Sequence, residues 1–160
     1  MEFRQMRRKN QLLSADECKE ILNNNTSGVM SVIGDDGYPY GVPLSYVYLN
    51  DKIYFHCAVS GHKIDAIKNN DKVSFCVVDQ DVIVPEKFTT HFKSVIIFGK
   101  ARILEDADEI NYTLNKLAMK YAPNENEESR TKEIGKFPNL LMVEIEIEHM
   151  TGKAAKELIK

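Results

Sequence analysis

The stretch from Gly28 to Cys57 constrains the fold more than any other part of the chain. Three segments of strand composition follow one another there with no room for a helix between them. Gly28 to Ile33 is joined to Pro39–Leu49 by the turn Gly34-Asp35-Asp36-Gly37. Asn50-Asp51 is a two-residue turn into the third segment, Lys52 to Cys57. Strands linked this tightly form an antiparallel meander. A doubly wound parallel sheet, which alternates strand and helix, is thereby disfavoured.

Three further strands are expected. Lys72 to Gln80 is the fourth, and Asp81 to Phe88, which holds Pro85, reads as a loop. Thr89 to Glu105 is too long for one flat strand, and Gly99 near its middle marks a bend. In the last strand Leu141, Val143, Ile145 and Ile147 alternate with Met142, Glu144, Glu146 and Glu148. The first set is expected inside. The glutamates, at a strict period of two, read as a solvated sheet surface and not as a catalytic or metal-binding set.

Helices flank these strands. Ser14-Ala15-Asp16-Glu17 fits a capping box, with Cys18, Ile21 and Leu22 as an apolar edge ending at Asn23-Asn24-Asn25. Asp106 caps a helix over 107–121 with Ile110, Leu114, Leu117 and Ala118 on one face, and Pro123 follows it. A short helical turn is expected over Arg130 to Phe137, and a short helix over Ala154 to Ile159. The sum is a mainly β chain with helices: a six-stranded antiparallel barrel in one domain, 1–160.

The second strand has two apolar faces. Tyr40, Val42, Leu44, Tyr46 and Tyr48 point one way, and Gly41, Pro43, Ser45, Val47 and Leu49 the other. Both faces are expected to be covered, as in a closed barrel. Pro43 cannot donate to a ladder, so it marks a bulge or an unpaired edge. Free backbone over Val42–Ser45 could hydrogen-bond a planar polar ligand; a simple barrel-corner kink explains the proline equally well.

The segment Lys52–Lys68 carries the main chemical signal. The strand ends in Ala58-Val59-Ser60-Gly61, and a helix begins at His62. Ser60 is the N-cap candidate, and Gly61 allows close approach to the backbone. His62 and Lys63 place basic groups where the helix already carries positive partial charge. Free amides and basic side chains together describe an anion site suited to phosphate. The competing reading is a solvated Lys63 and a surface His62, with Asp65 offsetting the charge.

Other function classes find little support. A formal charge of -3 gives no bulk case for nucleic acid. No apolar run approaches membrane-spanning length, and no signal-type run follows the basic start, so a cytoplasmic protein is expected. Three widely spaced cysteines, Cys18, Cys57 and Cys76, fit reduced thiols. The four histidines are scattered, with no zinc spacing. His56 and Cys57 are neighbours on a strand and face opposite ways, so they are not a nucleophile–base pair. Arg4, Arg7, Arg8 and Lys9 read as a solvated arm or a subunit contact. No G-x-S-x-G or Walker loop is present. Any reactive chemistry is therefore expected to belong to a cofactor.

Several runs together resemble the FMN-binding split-barrel superfamily. They are Asp36-Gly37-Tyr38-Pro39-Tyr40-Gly41-Val42-Pro43, Lys52-Ile53-Tyr54-Phe55-His56-Cys57-Ala58 and Gly61-His62-Lys63, with Met6-Arg7-Arg8-Lys9, Val73–Val78 and Thr151-Gly152-Lys153 as outer landmarks. The chain is most similar to the nitroimidazole-resistance (NimA-like) branch of the pyridoxamine 5'-phosphate oxidase-like group. The resemblance implies a six-stranded antiparallel split β-barrel and a homodimer with two FMN sites at the subunit interface. Val42, Pro43, Leu44 and Ser45 would pass along the isoalloxazine ring. His56, Cys57 and Ala58 would lie near the ribityl chain and phosphate, and His62 and Lys63 would meet the phosphate. Ser94 would reach the flavin from a neighbouring region or the other subunit. The implied activity is that of an oxidoreductase working between a small-molecule electron donor and acceptor, with nitroaromatic acceptors in view. A non-catalytic flavin module, or a haem-binding barrel using His56 or His62, are the alternatives. The arginine- and histidine-bearing C-terminal signature of true pyridoxamine phosphate oxidases has no counterpart in Ala154–Lys160.

Overall fold

Both edges of the sheet come from one stretch of chain. In the computed structural model, which describes residues 1–160, seven strands form a single antiparallel sheet. They are β1 (Ser27–Ile33), β2 (Pro39–Ser45), β3 (Val47–Leu49), β4 (Lys52–Ala58), β5 (Lys72–Val84), β6 (Thr89–Ile103) and β7 (Leu140–Ala154). Their order is β2-β1-β5-β6-β7-β4-β3, so β2 and β3 are the two edges. Only Tyr46 separates them in sequence. One residue spans about 3.8 Å, so the sheet must curl until its edges nearly meet. The two edges are not hydrogen-bonded to each other, and the ladder does not close.

The expected strand Pro39–Leu49 is thus two strands, and the count is seven where six were expected. Tyr46 leaves the ladder because its amide turns to the Thr26 carbonyl (3.4 Å) and the Tyr121 hydroxyl (3.0 Å). Up to Ser45 only one face is covered: Tyr40, Val42 and Leu44 are half-buried, and Gly41, Pro43 and Ser45 are exposed. From Tyr46 onward both faces are covered, with Tyr46 and Val47 buried on opposite sides. Pro43 sits on an edge strand without a bulge, since the β1–β2 register is unbroken from Ser27↔Ser45 to Ile33↔Pro39. Asn50 and Asp51 both have positive φ, as a two-residue hairpin turn of the primed type requires.

The concave side of the sheet holds the main core. Met30, Val32, Ile53, Phe55, Phe75, Val77, Val95, Ile97, Val143 and Ile145 lie there, all buried. Two helices pack on this core. α1 (Ala15–Asn24) has the expected capping box at Ser14 and Glu17 and buries Cys18, Ile21 and Leu22. α2 (His62–Asn69) buries Ile64, Ala66 and Ile67.

A third helix, α3 (Ala107–Tyr121), covers part of the outer face. Leu114 and Leu117 pack there on Val47, Tyr54, Leu104 and Met142. This overturns the solvated reading for Met142 and Glu144, which are 0% and 2% exposed. A period of two assigns residues to a common face, but it does not say whether a helix lies over that face. Glu146 and Glu148, farther along β7, are exposed as expected.

Three boundaries differ from expectation. The 81–88 loop is mostly strand, paired from Gln80↔Lys93 to Val84↔Thr89, leaving only a 3-10 turn at Pro85–Lys87. The backbone ladder continues there despite the polar Asp79-Gln80-Asp81 composition. The short helix α4 (Glu127–Ile134), capped by Asn126, begins earlier than the expected 130–137 turn. The final helix shrinks to a 3-10 turn, Lys156–Leu158, because β7 continues to Ala154. The β6 bend is where Gly99 suggested, at a register shift between Phe98 and Gly99. A β-carbon at Gly99 would overlap the Glu146 carbonyl oxygen. No helix is long and apolar enough to cross a membrane.

Candidate functional site

β4 delivers the chain to the start of α2. Gly61 is the N-cap, at φ 135 and ψ 170, and no side chain caps the helix. The expected cap, Ser60, lies one position too early. The Gly61 carbonyl accepts from Ile64 N (3.0 Å) and Asp65 N (3.1 Å). The amides of His62 and Lys63 in the first turn have no helical acceptor. A β-carbon at Gly61 would meet nothing within 4 Å, so this end of the helix faces open space. It is an electropositive, uncapped helix end with room beside it.

The structure separates His62 from Lys63. The His62 ring stacks on Tyr40, with centroids 4.2 Å apart and planes at 19°. Its Nε2 accepts from the Asp35 amide at 3.3 Å. The imidazole is therefore turned toward the β1–β2 turn, and it helps to fix that turn against α2. Lys63 is half-buried and near enough to Cys57 for its charge to act on the thiol. Burial, the larger effect, raises the Cys57 thiol above its ordinary range, and the positive charge of Lys63 pulls against it. Cys57 is half-buried against the core, while His56 and Ala58, on the opposite face of β4, are exposed.

The residues of β2 divide in the same way. Val42 and Leu44 pack on the core. Pro43 and Ser45 are exposed on a strand whose only hydrogen-bonded neighbour is β1, which leaves backbone groups free along its outer edge. Ser45 and His56 meet at a cavity of about 640 Å³ walled by α3, α4 and the start of β7. Leu114, Leu117, Ile134, Phe137 and Leu140 give it an apolar lining, which Arg130 shares. Sequence reasoning missed this cavity. The apolar face of α3 was legible, but not the space left between it and β4.

Ser94 is not brought to this cluster. It pairs with Lys153 near the end of β7, whereas Ala58 pairs with Leu140 at its beginning. At about 3.3 Å per residue these points are roughly 40 Å apart along the strand. Ser94 lies instead on the outer face of β6, in step with Ile96 and Phe98, which are exposed. Val29 on β1 and Val78 on β5 are exposed as well.

Residues 14–154 match the family model described as pyridoxamine 5'-phosphate oxidase. No curated protein sequence matches the chain. Solved structures do. A candidate 5-nitroimidazole antibiotic resistance protein from Bacteroides thetaiotaomicron superposes with TM-score 0.76 at 21% identity, over 89% of this chain and 86% of that one. A conserved hypothetical protein from Mycobacterium tuberculosis gives 0.81 at 18%, over 96% and 92%. A FAD-binding protein from Mesorhizobium loti gives 0.64 at 25%, over 91% and 97%.

Proposed function

The chain belongs to the pyridoxamine 5'-phosphate oxidase family, and from that premise we propose that it is a flavoprotein, an FMN-dependent oxidoreductase of the NimA-like kind. The observation that carries this reading is the uncapped start of α2 beside Lys63. Two free amides and an ammonium suit a terminal phosphate, and Gly61 leaves space for it. The free edge of β2 over Val42–Ser45 suits the polar rim of an isoalloxazine ring, with His56, Cys57 and Ala58 between ring and phosphate. The residues present fit the group.

Bound flavin would supply electron and hydride transfer between a nicotinamide donor and an organic acceptor, nitroaromatic compounds among them. The chain's own part is placement. Lys63 and the α2 amides hold the phosphate end, and β2 orients the ring. His62 supports this indirectly, by pinning the 34–37 turn to α2.

A homodimer completes the proposal. Val29, Val78 and Ile96 form an exposed apolar face on β1, β5 and β6, bordered by Phe98, on which Phe3 stacks at 5.9 Å. Such a face suits a second copy. Ser94 lies on it, far from its own α2, and would reach the partner's flavin.

The test is the absorbance spectrum of purified protein, followed by mass analysis of the released cofactor. Two bands in the near-ultraviolet and blue, with released FMN, are expected. An intense Soret band would favour haem; His62 Nε2 is already engaged by Asp35, so His56 would be the remaining ligand. Mixing with a nicotinamide donor separates enzyme from binder, and a flavin that no donor reduces would sink the oxidoreductase reading. Light scattering reports the dimer.

A further inference from the structure

We infer that the cavity between α3, α4 and β4 binds a small aromatic carboxylate, its ring on the apolar lining and its anion at Arg130. The inference deepens the flavoprotein reading, because Ser45 and His56 belong both to the proposed flavin surface and to this cavity.

The volume, about 640 Å³, lies within the ordinary range for small-molecule sites. Leu114 and Leu117, both buried, line it with Ile134, Phe137 and Leu140, an apolar surface suited to a flat ring. α4 buries none of its own residues. Only Ile134 anchors it, half-buried against the cluster of Leu114, Leu117 and Met142, and the rest of the helix walls the cavity.

The charged groups in the lining choose the ligand's charge. Arg130, Lys132 and Lys136 share it with Glu125 and Glu133. Lys136 Nζ lies 2.6 Å from Glu133 Oε2, so that pair is closed. Arg130 is half-buried and spends a donor on the backbone carbonyl of Glu125, leaving further guanidinium N–H groups for a ligand. Lys132 is exposed and joins no ion pair. The lining therefore carries one net positive charge, three cations against two carboxylates. A neutral arene would leave that charge unanswered, and a dianion would meet Glu125. A monoanion matches, and a planar carboxylate suits a guanidinium fork.

The test is calorimetric titration of the purified protein with 4-nitrobenzoate and with nitrobenzene, without turnover. Wild type is expected to prefer 4-nitrobenzoate. Arg130→Gln should weaken it about tenfold, the scale of one lost charge-assisted hydrogen bond, and leave nitrobenzene within about twofold. Ala118→Phe, which fills the cavity from α3, should abolish both. If that variant does not fold, the Arg130→Gln comparison still decides. Absent binding of 4-nitrobenzoate to wild type, or equal affinity in Arg130→Gln, overturns the inference. The absorbance spectrum of the same sample is independent of this outcome. Flavin without arene binding sinks the cavity inference alone, and arene binding without flavin supports it while sinking the cofactor reading.

Discussion

The Tyr46 hydroxyl donates to the carbonyl oxygen of Leu22 across 2.7 Å. This bond ties the one residue between the two sheet edges to the last turn of α1, and it does so in a fully buried position. The Tyr46 ring meets Phe75 edge-on at 5.1 Å, and Lys120 Nζ sits 4.2 Å above it. Curling of the sheet, the end of α1 and the end of α3 thus converge on a single side chain.

Removing that hydroxyl should therefore be felt as stability. Tyr46→Phe keeps the ring and loses one buried hydrogen bond, so a loss of about 1 kcal/mol is expected. The cost stays moderate because Lys120 Nζ lies 3.5 Å from the same Leu22 carbonyl. Tyr46→Ala also opens a cavity and should cost about 3–5 kcal/mol. Urea denaturation followed by circular dichroism measures both. Equal losses in the two variants would show that packing at Tyr46 contributes nothing.

The meander, the caps of α1 and α3 and the α2 start were legible in sequence because each is local. Ser14 and Glu17, Asn50 and Asp51, and Asp106 act within a few residues. The break at Tyr46 was not legible, since its partners Leu22, Thr26 and Tyr121 come from other elements. The burial of Glu144 was hidden for the same reason, as nothing in β7 announces the helix above it. At the site, sequence joined His62 with Lys63. Their division depends on Tyr40 and Asp35, which only the fold brings near.

Glu144 predicts an acid limb. Burial, the largest influence, would raise its pKa, but hydrogen bonds from Lys52, Arg102 and Tyr54 together outweigh it and hold the carboxyl below its ordinary 4.5. Tyr54 and Arg102 each lie 3.0 Å from Oε2, and Lys52 lies 3.1 Å away. The unfolded chain binds the proton more readily, so this stability is complete above about pH 4.5 and is lost as pH falls through the lower folded value. Glu144→Gln should flatten that part of the stability–pH curve. It should also cost about 3 kcal/mol at neutral pH, the low end for a broken buried pair, because Lys52 and Arg102 are partly exposed and can be rehydrated. Thermal melts from pH 3 to 7 give both quantities, and an unchanged acid limb would refute the assignment.

The cysteines should react slowly. Burial pushes Cys18 up to about 11 and raises Cys57 and Cys76 as well. The thiolate is the reactive form, so all three should label slowly with a disulfide reagent at pH 7.5. Cys57 alone has Lys63 opposing the rise, so Lys63→Ala should slow Cys57 further and leave Cys76 unchanged. Peptide mapping after timed labelling resolves the sites. Faster labelling of Cys57 in that variant would place Lys63 elsewhere.

The start of α2 yields the sharpest separation of roles. Lys63→Ala removes a charge from the proposed phosphate site without touching the core, so flavin retention should fall while the melting temperature stays nearly constant. His62→Ala breaks the Asp35 bond and the Tyr40 stack, so it should cost about 1–2 kcal/mol of stability before it affects flavin. Gly61→Ala tests the backbone alone. At φ 135 an added β-carbon meets no neighbour, so its cost, about 1–3 kcal/mol, is conformational strain. That strain displaces the amides of His62 and Lys63, and flavin retention should fall with it. Flavin-to-protein absorbance ratios and melting curves on the three variants report the two effects separately. Full flavin occupancy in both Lys63→Ala and Gly61→Ala would remove the phosphate site from the start of α2.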